Sequence, residues 1–419
     1  MSFARVDGVL HAESVALPRL AAAVGTPFYV YSADRIRAQL GALGAALEGI
    51  PHRIHFAMKA NACRGVLEVV RAAGAGVDVV SGGELDRARR AGFGPTDILF
   101  GGVGKQAHEL REALAGGIKL INVESPAELA LVAEIAAALG VVAPVGLRVN
   151  PEVDVENAHR FIATGEKGHK FGIPIGEAFA AGRAALASPH LRLVGLDMHV
   201  GSQLLSLEAY RHGAARLGEL GRALRDAGAP LAYLDVGGGL PVRYRDEAAP
   251  DLPAYAAIVG EAAAALGVSL LLEPGRFVVA DAGMLVTRVL YRKGNGGRTT
   301  LVCDAGMTEL VRPSRYDAYH HIEPVLDGVG EEVADVVGPV CETGDFLALK
   351  RALPVVPEGA LLAVHAAGAY GSVMASQYNA RPKAPEVLVD GARWAEVTTR
   401  ETYDDLARHD VATPVWRDD

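Results

Sequence analysis

The stretch HFAMKAN, residues 55–61, ends a short apolar run with a lysine, and similar runs recur along the chain. Between about residues 50 and 275 each run ends in small or polar residues and is followed by a stretch with helical periodicity. The eight runs are 54–58, 77–80, 98–100, 119–123, 144–149, 193–200, 231–236 and 269–272. Eight such units match a (β/α)8 barrel, whereas a doubly wound sheet seldom repeats so evenly. We therefore predict an α/β fold with a TIM-like barrel over residues 30–277.

The pattern changes near residue 277. Short β-rich runs follow at 284–291, 299–302, 333–337, 361–365 and 386–389, separated by turns such as NGG, RPS and GPV. The first 30 residues also contain strand-like pieces, including 26–31. We therefore predict an all-β domain, a sandwich or barrel, built from residues 1–29 and 278–419.

Composition excludes several classes of protein. The formal net charge is -9, with acidic and basic residues interspersed, which argues against a nucleic-acid or anionic-membrane surface. Three scattered cysteines are too few for a disulfide framework or a zinc site, so we expect a reducing compartment and no metal. The first 15 residues lack an apolar core of signal-peptide length. We expect a soluble cytoplasmic enzyme without a membrane or nucleic-acid partner.

The functional residues of such barrels lie at the carboxyl ends of the strands. Lys59, which follows the first run, either points to solvent or is desolvated and able to attack a carbonyl group. The loops after strands seven and eight commonly bind phosphate, and here they read GGG at 237–239 and EPGR at 273–276. Glycine exposes backbone N–H groups and Arg276 adds positive charge. The combination favours a Schiff-base lysine beside a phosphate site.

Two other strand-end residues have two interpretations each. Glu273 is a helix cap or surface carboxylate, or it keeps the nitrogen of a pyridine ring protonated, which makes the ring a strong electron sink. His199, flanked by apolar residues, is a satisfied core histidine or a ring that stacks on a cofactor. The residues alone leave both choices open.

The motifs HFAMKAN, DVVSGGEL, HKFGI, HVGSQ, DVGGG, EPGR, RPSRYDAYH, VCETGDF and AGAY resemble, in order and spacing, those of diaminopimelate decarboxylases. These are fold type III pyridoxal-phosphate enzymes, which join an alanine-racemase-like barrel to a β domain. The resemblance runs from VDGVL near the start to YNARP at 378–382. Several motifs are too long to match by coincidence.

The resemblance implies pyridoxal 5'-phosphate as the cofactor. It makes Lys59 the lysine that holds the cofactor as a Schiff base, His199 the stacking and catalytic histidine, and Glu273 the partner of the pyridine nitrogen. The other implied cofactor contacts are Ser202, Gly238, Gly239, Pro274, Gly275, Arg276 and Tyr370.

For the substrate, the resemblance implies that Arg312 and Tyr316 contact the distal end and that Glu342 accepts the distal ammonium. Arg276 shares a carboxylate, and Tyr370 is a further contact. Taken alone, Arg312 would be a solvated or ion-paired arginine and Tyr370 a packing residue.

Cys341 resembles the family's proton donor, although alone it would be a buried structural thiol. In the family Cys341 and Glu342 reach the site from the partner subunit, so the resemblance implies a homodimer. The motif reads CETGD, with Thr343 where the family usually has serine. Thr308 and Glu309 stand where Asn and Asp are common. None of these departures touches a residue with an implied role.

The implied reaction is decarboxylation of meso-2,6-diaminopimelate to L-lysine and carbon dioxide, the last step of lysine biosynthesis. Arg276 and Arg312 match a distal carboxylate and Glu342 a distal ammonium, which favours this substrate over ornithine or arginine. The alternatives are a related decarboxylase of carboxynorspermidine or of a carrier-bound amino acid, an amino-acid racemase, and a non-catalytic regulatory homologue.

Overall fold

The structure is a computed structural model that describes residues 2–153, 168–414 and 416–417. It contains two compact units, Ala33–Ala282 and Met1–Ser32 with Gly283–Asp419. The sequence prediction placed the two boundaries at residues 30 and 277, a few residues before those of the structure. At the second boundary, the short helix Arg276–Val279 still belongs to the barrel unit. In the described part of the chain, no helix is long and apolar enough to cross a membrane.

The unit Ala33–Ala282 is a closed barrel of eight parallel strands. We number them β1 (His52–Ala57), β2 (Gly76–Val79), β3 (Ile98–Phe100), β4 (Leu120–Val123), β5 (Ala143–Asn150), β6 (Leu191–Asp197), β7 (Tyr233–Asp235) and β8 (Ser269–Leu272). Each strand pairs with the next, and β8 pairs with β1 to close the ring. A short strand, Ile173–Pro174, is added beside β5. The predicted TIM-like barrel is confirmed, and each of the eight apolar runs overlaps a barrel strand.

Helices follow the strands and cover the barrel. They are Ala33–Ala46, Arg64–Ala72, Gly82–Arg90, Ala107–Ala115, Pro126–Leu139, Ile175–Ala187, Glu208–Asp226, Leu252–Leu266 and Arg276–Val279, with 3-10 turns at Met58–Ala60 and Pro95–Asp97. Side chains of Ser81, Ser125 and Asp251 cap three of the helices by accepting backbone N–H bonds in the first turn. These caps fix where three of the βα loops end, and the βα loops form the functional face of a barrel.

The second unit is built around β-sheet from both ends of the chain. Its largest sheet has the strand order Phe346–Val355, Val329–Val337, Arg298–Cys303, Gly283–Asn295, Phe28–Ser32, Glu386–Asp390 and Arg393–Thr398. Leu361–Val364 also pairs with Gly283–Asn295 and with Ile322–Pro324. The first residues form a small antiparallel sheet of Phe3–Val6, Val9–Ala12 and Val15–Ala16. The predicted β domain after the barrel is confirmed.

Residues of both chain ends share the core of this unit. Phe28 and Val30 pack in one buried cluster with Met284, Val286 and Val387. The helices of the unit are Leu17–Val24, Arg312–Tyr316 and Tyr403–Ala407, with 3-10 turns at Ser372–Met374 and Tyr378–Ala380. Strand Phe28–Ser32 lies between two strands from the far end of the chain, so the N-terminal segment is integral to this core.

Leu147 offers a test of the barrel core. It lies in β5 and is fully buried, so Leu147→Ala leaves a cavity and should lower the free energy of unfolding by about 3 kcal/mol. The matched control is Leu205→Ala, because that side chain is 63% exposed and its loss should cost less than about 0.5 kcal/mol. Urea denaturation followed by far-UV circular dichroism measures both. Equal midpoints for the two variants would contradict the core position of Leu147.

Candidate active site

Lys59 lies in the 3-10 turn directly after β1, at the carboxyl end of the strand. Its Nζ donates to Asp78 Oδ2 at 2.9 Å. Asp78 is a buried residue of β2 and stands opposite Ala57 in the register of the two strands. The pairing of β1 with β2 therefore places the buried carboxylate beside the amine of Lys59, whose side chain is 37% exposed, and the ion pair offsets the cost of burying Asp78.

Three further acids end neighbouring strands. Asp197 ends β6, Asp235 ends β7 and Glu273 follows β8. All three are buried, and their carboxylates have oxygens within 4.8 Å of one another. Burial, and then the charge of Asp235, raises the pKa of Glu273 and of Asp197 well above the usual range, and burial raises the pKa of Asp235 to about 6. The raised pKa values therefore disfavour ionisation of all three carboxyl groups together.

Arg148 of β5 balances part of this acidic cluster. Its guanidinium forms an ion pair with Glu124 at 2.6 Å and lies 3.9 Å from Asp197. Burial lowers the pKa of Arg148, but Glu124, Asp197 and Glu273 outweigh that effect and raise it. The arginine also lies over the ring of Phe171, 4.9 Å from its centre. The site thus contains both a fixed cation and a lysine near its acids.

His199 follows β6 and is a neutral ring. Burial lowers its pKa well below the usual value, and the positive charges of Arg148 and Lys59 lower it further. The N–H of Gly238 donates to His199 Nδ1 at 3.2 Å, so Nδ1 carries no proton. A neutral imidazole fixed in this way presents a flat face without adding positive charge.

Glycine is required in the loops after β7 and β8. A Cβ on Gly238 would lie 2.4 Å from the carbonyl oxygen of Glu273, and one on Gly275 would lie 2.9 Å from Cβ of Ala60. Gly239 has a φ of 108°, a conformation that favours glycine. The loop after β8 can approach the end of β1 at Gly275, and the loop after β7 can approach Glu273 at Gly238, only because these positions lack side chains.

Arg276 brings the loops after β6 and β8 together. Its Nη2 donates to Ser202 Oγ at 3.1 Å and its Nη1 to Tyr244 Oη at 2.8 Å. The guanidinium is largely buried. Cationic and hydroxyl groups beside a glycine loop after strands seven and eight are suited to an anion such as a phosphate group.

A cavity of about 340 Å³ opens at this end of the barrel. Its lining residues are Lys59, Asp78, Val80, Gly101, Gly102, Val103, Gly104, Arg148, Phe171, Asp197, His199 and Glu273. Lys59, His199 and Glu273, all predicted from the sequence, therefore face one cavity. Ser202, Gly238, Gly239, Pro274, Gly275 and Arg276 lie in the loops after β6, β7 and β8.

The site fits pyridoxal phosphate. Lys59 Nζ can hold its carbonyl carbon, the neutral ring of His199 can stack on it, and Glu273, whose side chain also accepts from Asn122 at 3.5 Å, can pair with its ring nitrogen. Asp78 Oδ1, Asp197 Oδ1 and Asp235 Oδ2 are buried and have no hydrogen-bond partner among the described residues. Such atoms favour a ligand that brings donors.

Except for Arg276, which belongs to the barrel unit, the predicted substrate residues lie in the β unit. Arg312 begins the helix Arg312–Tyr316, and its buried guanidinium donates from Nη1 to His320 Nε2 at 2.9 Å. His320 Nδ1 bonds the carbonyl oxygen of His365 at 2.8 Å. With the proton on Nδ1, the ring accepts at Nε2 and thereby orients the arginine. Tyr316 is half-buried and accepts from Arg315 at 3.3 Å.

Hydrogen bonds that Asp345 and Cys341 form with residues outside the motif hold the CETGD loop in place. Asp345 is buried and accepts N–H bonds from Met307 and Val340, each at 2.6 Å. The N–H of Cys341 donates to Asn379 Oδ1 at 3.0 Å. Cys341 and Glu342 are exposed within this unit, unlike the buried thiol expected of Cys341 taken alone. The loop is therefore a fixed structure that presents a thiol and a carboxylate.

Tyr370 is half-buried and has a φ of 55°, an uncommon conformation for a tyrosine. The next residue, Gly371, packs against the ring of Tyr29, which a Cβ would approach to 2.9 Å at the hydroxyl. The close packing of Gly371 against Tyr29 thus fixes the backbone next to Tyr370.

Sequence reasoning missed several residues of the site. Asp78 and Asp235 stand inside the quoted motifs DVVSGGEL and DVGGG but received no role, and Asp197 lies two residues before His199. Arg148 and Tyr244 lie in none of the quoted motifs. A signal was available for the acids, because each lies at or next to the carboxyl end of a barrel strand, the position where functional residues lie.

Comparisons with known proteins agree with this geometry. Residues 33–280 match the family model described as pyridoxal-dependent decarboxylase, pyridoxal binding domain. A Pseudomonas aeruginosa protein named diaminopimelate decarboxylase is 47% identical over 406 residues, which are 97% of this chain and 97% of that protein.

Solved structures are similar over almost the whole chain. Helicobacter pylori diaminopimelate decarboxylase complexed with L-lysine is 38% identical with a TM-score of 0.90, covering 94% of this chain and 98% of that chain. The diaminopimelate decarboxylase from M. jannaschii in co-complex with L-lysine is 32% identical with a TM-score of 0.93, covering 99% and 98%. The chain therefore belongs to the pyridoxal-dependent decarboxylases and, among these, to the diaminopimelate decarboxylase family.

Proposed function

We propose that this enzyme removes one carboxylate of meso-2,6-diaminopimelate, at its D-configured end, as carbon dioxide and releases L-lysine, the last step of lysine biosynthesis. The observation that carries the proposal is that Lys59 and Glu273 face one cavity, at the strand ends of a barrel of this family. Two relatives of the family are described in complex with L-lysine. We place the reaction in the cytoplasm.

In this proposal Lys59 holds the cofactor covalently, and Arg276, Ser202, Gly238 and Gly239 bind its phosphate. The remaining cofactor contacts are His199, Glu273, Pro274, Gly275 and Tyr370. When bound, pyridoxal phosphate supplies an electron sink for the carbanion that forms as the carboxylate departs. Burial and neighbouring acids raise the pKa of Glu273 well above its usual range, which favours a proton shared between its carboxyl group and a ring nitrogen.

The distal end of the substrate carries one carboxylate and one ammonium. We assign Arg312, with Tyr316, Tyr370 and Arg276, to the carboxylate, and Glu342 to the ammonium. The contact of Arg312 with His320 supports this assignment. The hydrogen bond fixes the orientation of the planar guanidinium, so its remaining N–H groups can donate to a carboxylate at a defined position. His320 is then a positioning residue for Arg312.

Cys341 or Lys59 returns a proton to the α-carbon after carbon dioxide has left. Cys341 is exposed in its own unit and its loop is held by Asp345 and Asn379, which supports a role for the thiol at a defined position. We further propose a homodimer in which residues 1–29 and 278–419 supply dimer and substrate contacts. Cys341 and Glu342 of each chain would then complete the site of the partner subunit.

The substrate is tested by an assay for carbon dioxide and L-lysine. The purified protein with pyridoxal phosphate should convert meso-diaminopimelate and should act far less on ornithine, arginine or carboxynorspermidine, which do not match the distal charges. Higher kcat/KM for one of the other three amines would exclude the substrate while leaving decarboxylation intact. Racemisation without release of carbon dioxide would exclude the reaction class.

Arg312→Lys tests the distal carboxylate contact. Lysine keeps the charge but loses the planar pair of donors and the defined contact with His320, so kcat/KM for diaminopimelate should fall about tenfold to a hundredfold, mainly through KM. Arg393→Lys is the control, because the Arg393 side chain is 84% exposed. Unchanged KM in Arg312→Lys would remove Arg312 from the substrate site.

A further inference from the structure

Two histidines of the β unit stand opposite each other across a strand pair. His321 directly precedes Ile322–Pro324, and His365 directly follows Leu361–Val364. These strands are antiparallel with Ile322 opposite Val364, and the N–H of His365 donates to the carbonyl oxygen of His321 at 2.8 Å. The ring centres of the two histidines are 5.2 Å apart.

Glu323 lies on the same face. It is two residues from His321, and side chains two apart on a strand point to the same side. Its Oε1 lies 2.8 Å from His365 Nε2. One ligand atom from each of the three residues lies within 4.8 Å of the others. Two imidazoles and a carboxylate thus converge on one patch of an antiparallel strand pair, from positions 44 residues apart in the chain.

The spacing suits a small metal ion after modest movement. With bonds of about 2.0–2.2 Å, the ligand atoms of a tetrahedral zinc site are roughly 3.4 Å apart. His321 is exposed and the other two residues are half-buried. Small rotations of these side chains can therefore bring the three atoms to coordination distance without displacing the strands.

Arg5 orients the carboxylate and leaves one oxygen for a metal. Its Nη2 donates to Glu323 Oε2 at 2.7 Å, on the oxygen that does not face His365. Its Nη1 forms an ion pair with Asp327 at 3.1 Å, which offsets the positive charge of the guanidinium. Outer contacts of this kind commonly fix the orientation of ligating carboxylates.

We propose that His321, Glu323 and His365 bind a divalent transition-metal ion, with Zn²⁺ as the best match. Two imidazoles and one carboxylate are a ligand set that zinc prefers, whereas Ca²⁺ and Mg²⁺ prefer oxygen ligands. Water would complete the coordination. The ion would join the start of one strand to the end of its neighbour and so stabilise the β unit. The carbonyl oxygen of His365 contacts His320, but none of the three ligand side chains has a part in the proposed decarboxylation, so the site does not depend on that function.

Isothermal titration of Zn²⁺ into the tag-free enzyme with its cofactor bound tests the proposal. The protein should take up one Zn²⁺ per chain at these ligands, and His321→Asn, His365→Asn and Glu323→Gln should each weaken that binding at least tenfold. His409→Asn is the control for chance binding by an exposed histidine, and Cys341→Ser the control for binding by the exposed thiol. Both should bind as the unmodified protein does.

The His321→Asn variant guards against misfolding, because its side chain is exposed and its melting temperature without zinc should not change. Zinc should raise the melting temperature of the unmodified protein and not that of this variant. Equal zinc affinity of His321→Asn, His365→Asn and the unmodified protein would overturn the proposal. So would the absence of saturable binding to the unmodified protein up to on the order of 1 mM Zn²⁺.

Discussion

Four carboxyl groups meet at the carboxyl ends of barrel strands, and the need to bury them together shapes the rest of the site. Asp78 belongs to β2, Asp197 and Asp235 end β6 and β7, and Glu273 follows β8. Two carboxylates about 5 Å apart repel each other by roughly 3 kcal/mol even at an effective dielectric constant of about 20. Closure of the barrel makes their proximity unavoidable, so the surrounding residues must compensate for it.

Two cations offset part of the repulsion between these acids, and the raised pKa values disfavour ionisation of two of them. Lys59 pairs with Asp78, and Arg148 lies near Asp197. Burial and the neighbouring acids also disfavour ionisation of Asp197 and Glu273, whose pKa values are raised well above their usual range. A cavity lined by an amine and by a carboxyl group with a raised pKa is suited to a ligand with a carbonyl group and a basic ring nitrogen. Pyridoxal phosphate has both, and the glycine loops after β7 and β8 supply room for its phosphate.

The sequence predicted the barrel because its strands are short, apolar and evenly repeated, and Lys59, His199 and Glu273 because each stands at a strand end. It did not predict strand Phe346–Val355, because Lys350, Arg351 and Pro354 interrupt the alternation. Lys350 has a φ of 48°, and the pairing of this strand with Val329–Val337 shifts register in several places. Arg148 was missed for a different reason. A charged residue inside a strand is usually exposed, and only the closed barrel shows that it faces buried acids.

The residues of the β unit show the limit of reasoning from pattern. Arg312, Cys341 and Tyr370 gained roles only from the resemblance, because no periodicity distinguishes them from packing residues. His320 had no assigned role, yet it orients Arg312 through one ring nitrogen while the other bonds a backbone carbonyl. Contacts of this kind depend on residues far apart in the chain, as between His320 and His365, and so require the folded structure.

We propose that the cofactor is bound to Lys59. Borohydride reduction of the purified protein followed by peptide mass spectrometry is the direct test, because reduction makes the bond between lysine and cofactor permanent. We expect the mass of a reduced phosphopyridoxyl group on the peptide containing Lys59, and its loss from that peptide in Lys59→Ala. Modification of another lysine instead, such as Lys105, which is buried against Glu128, would contradict the account.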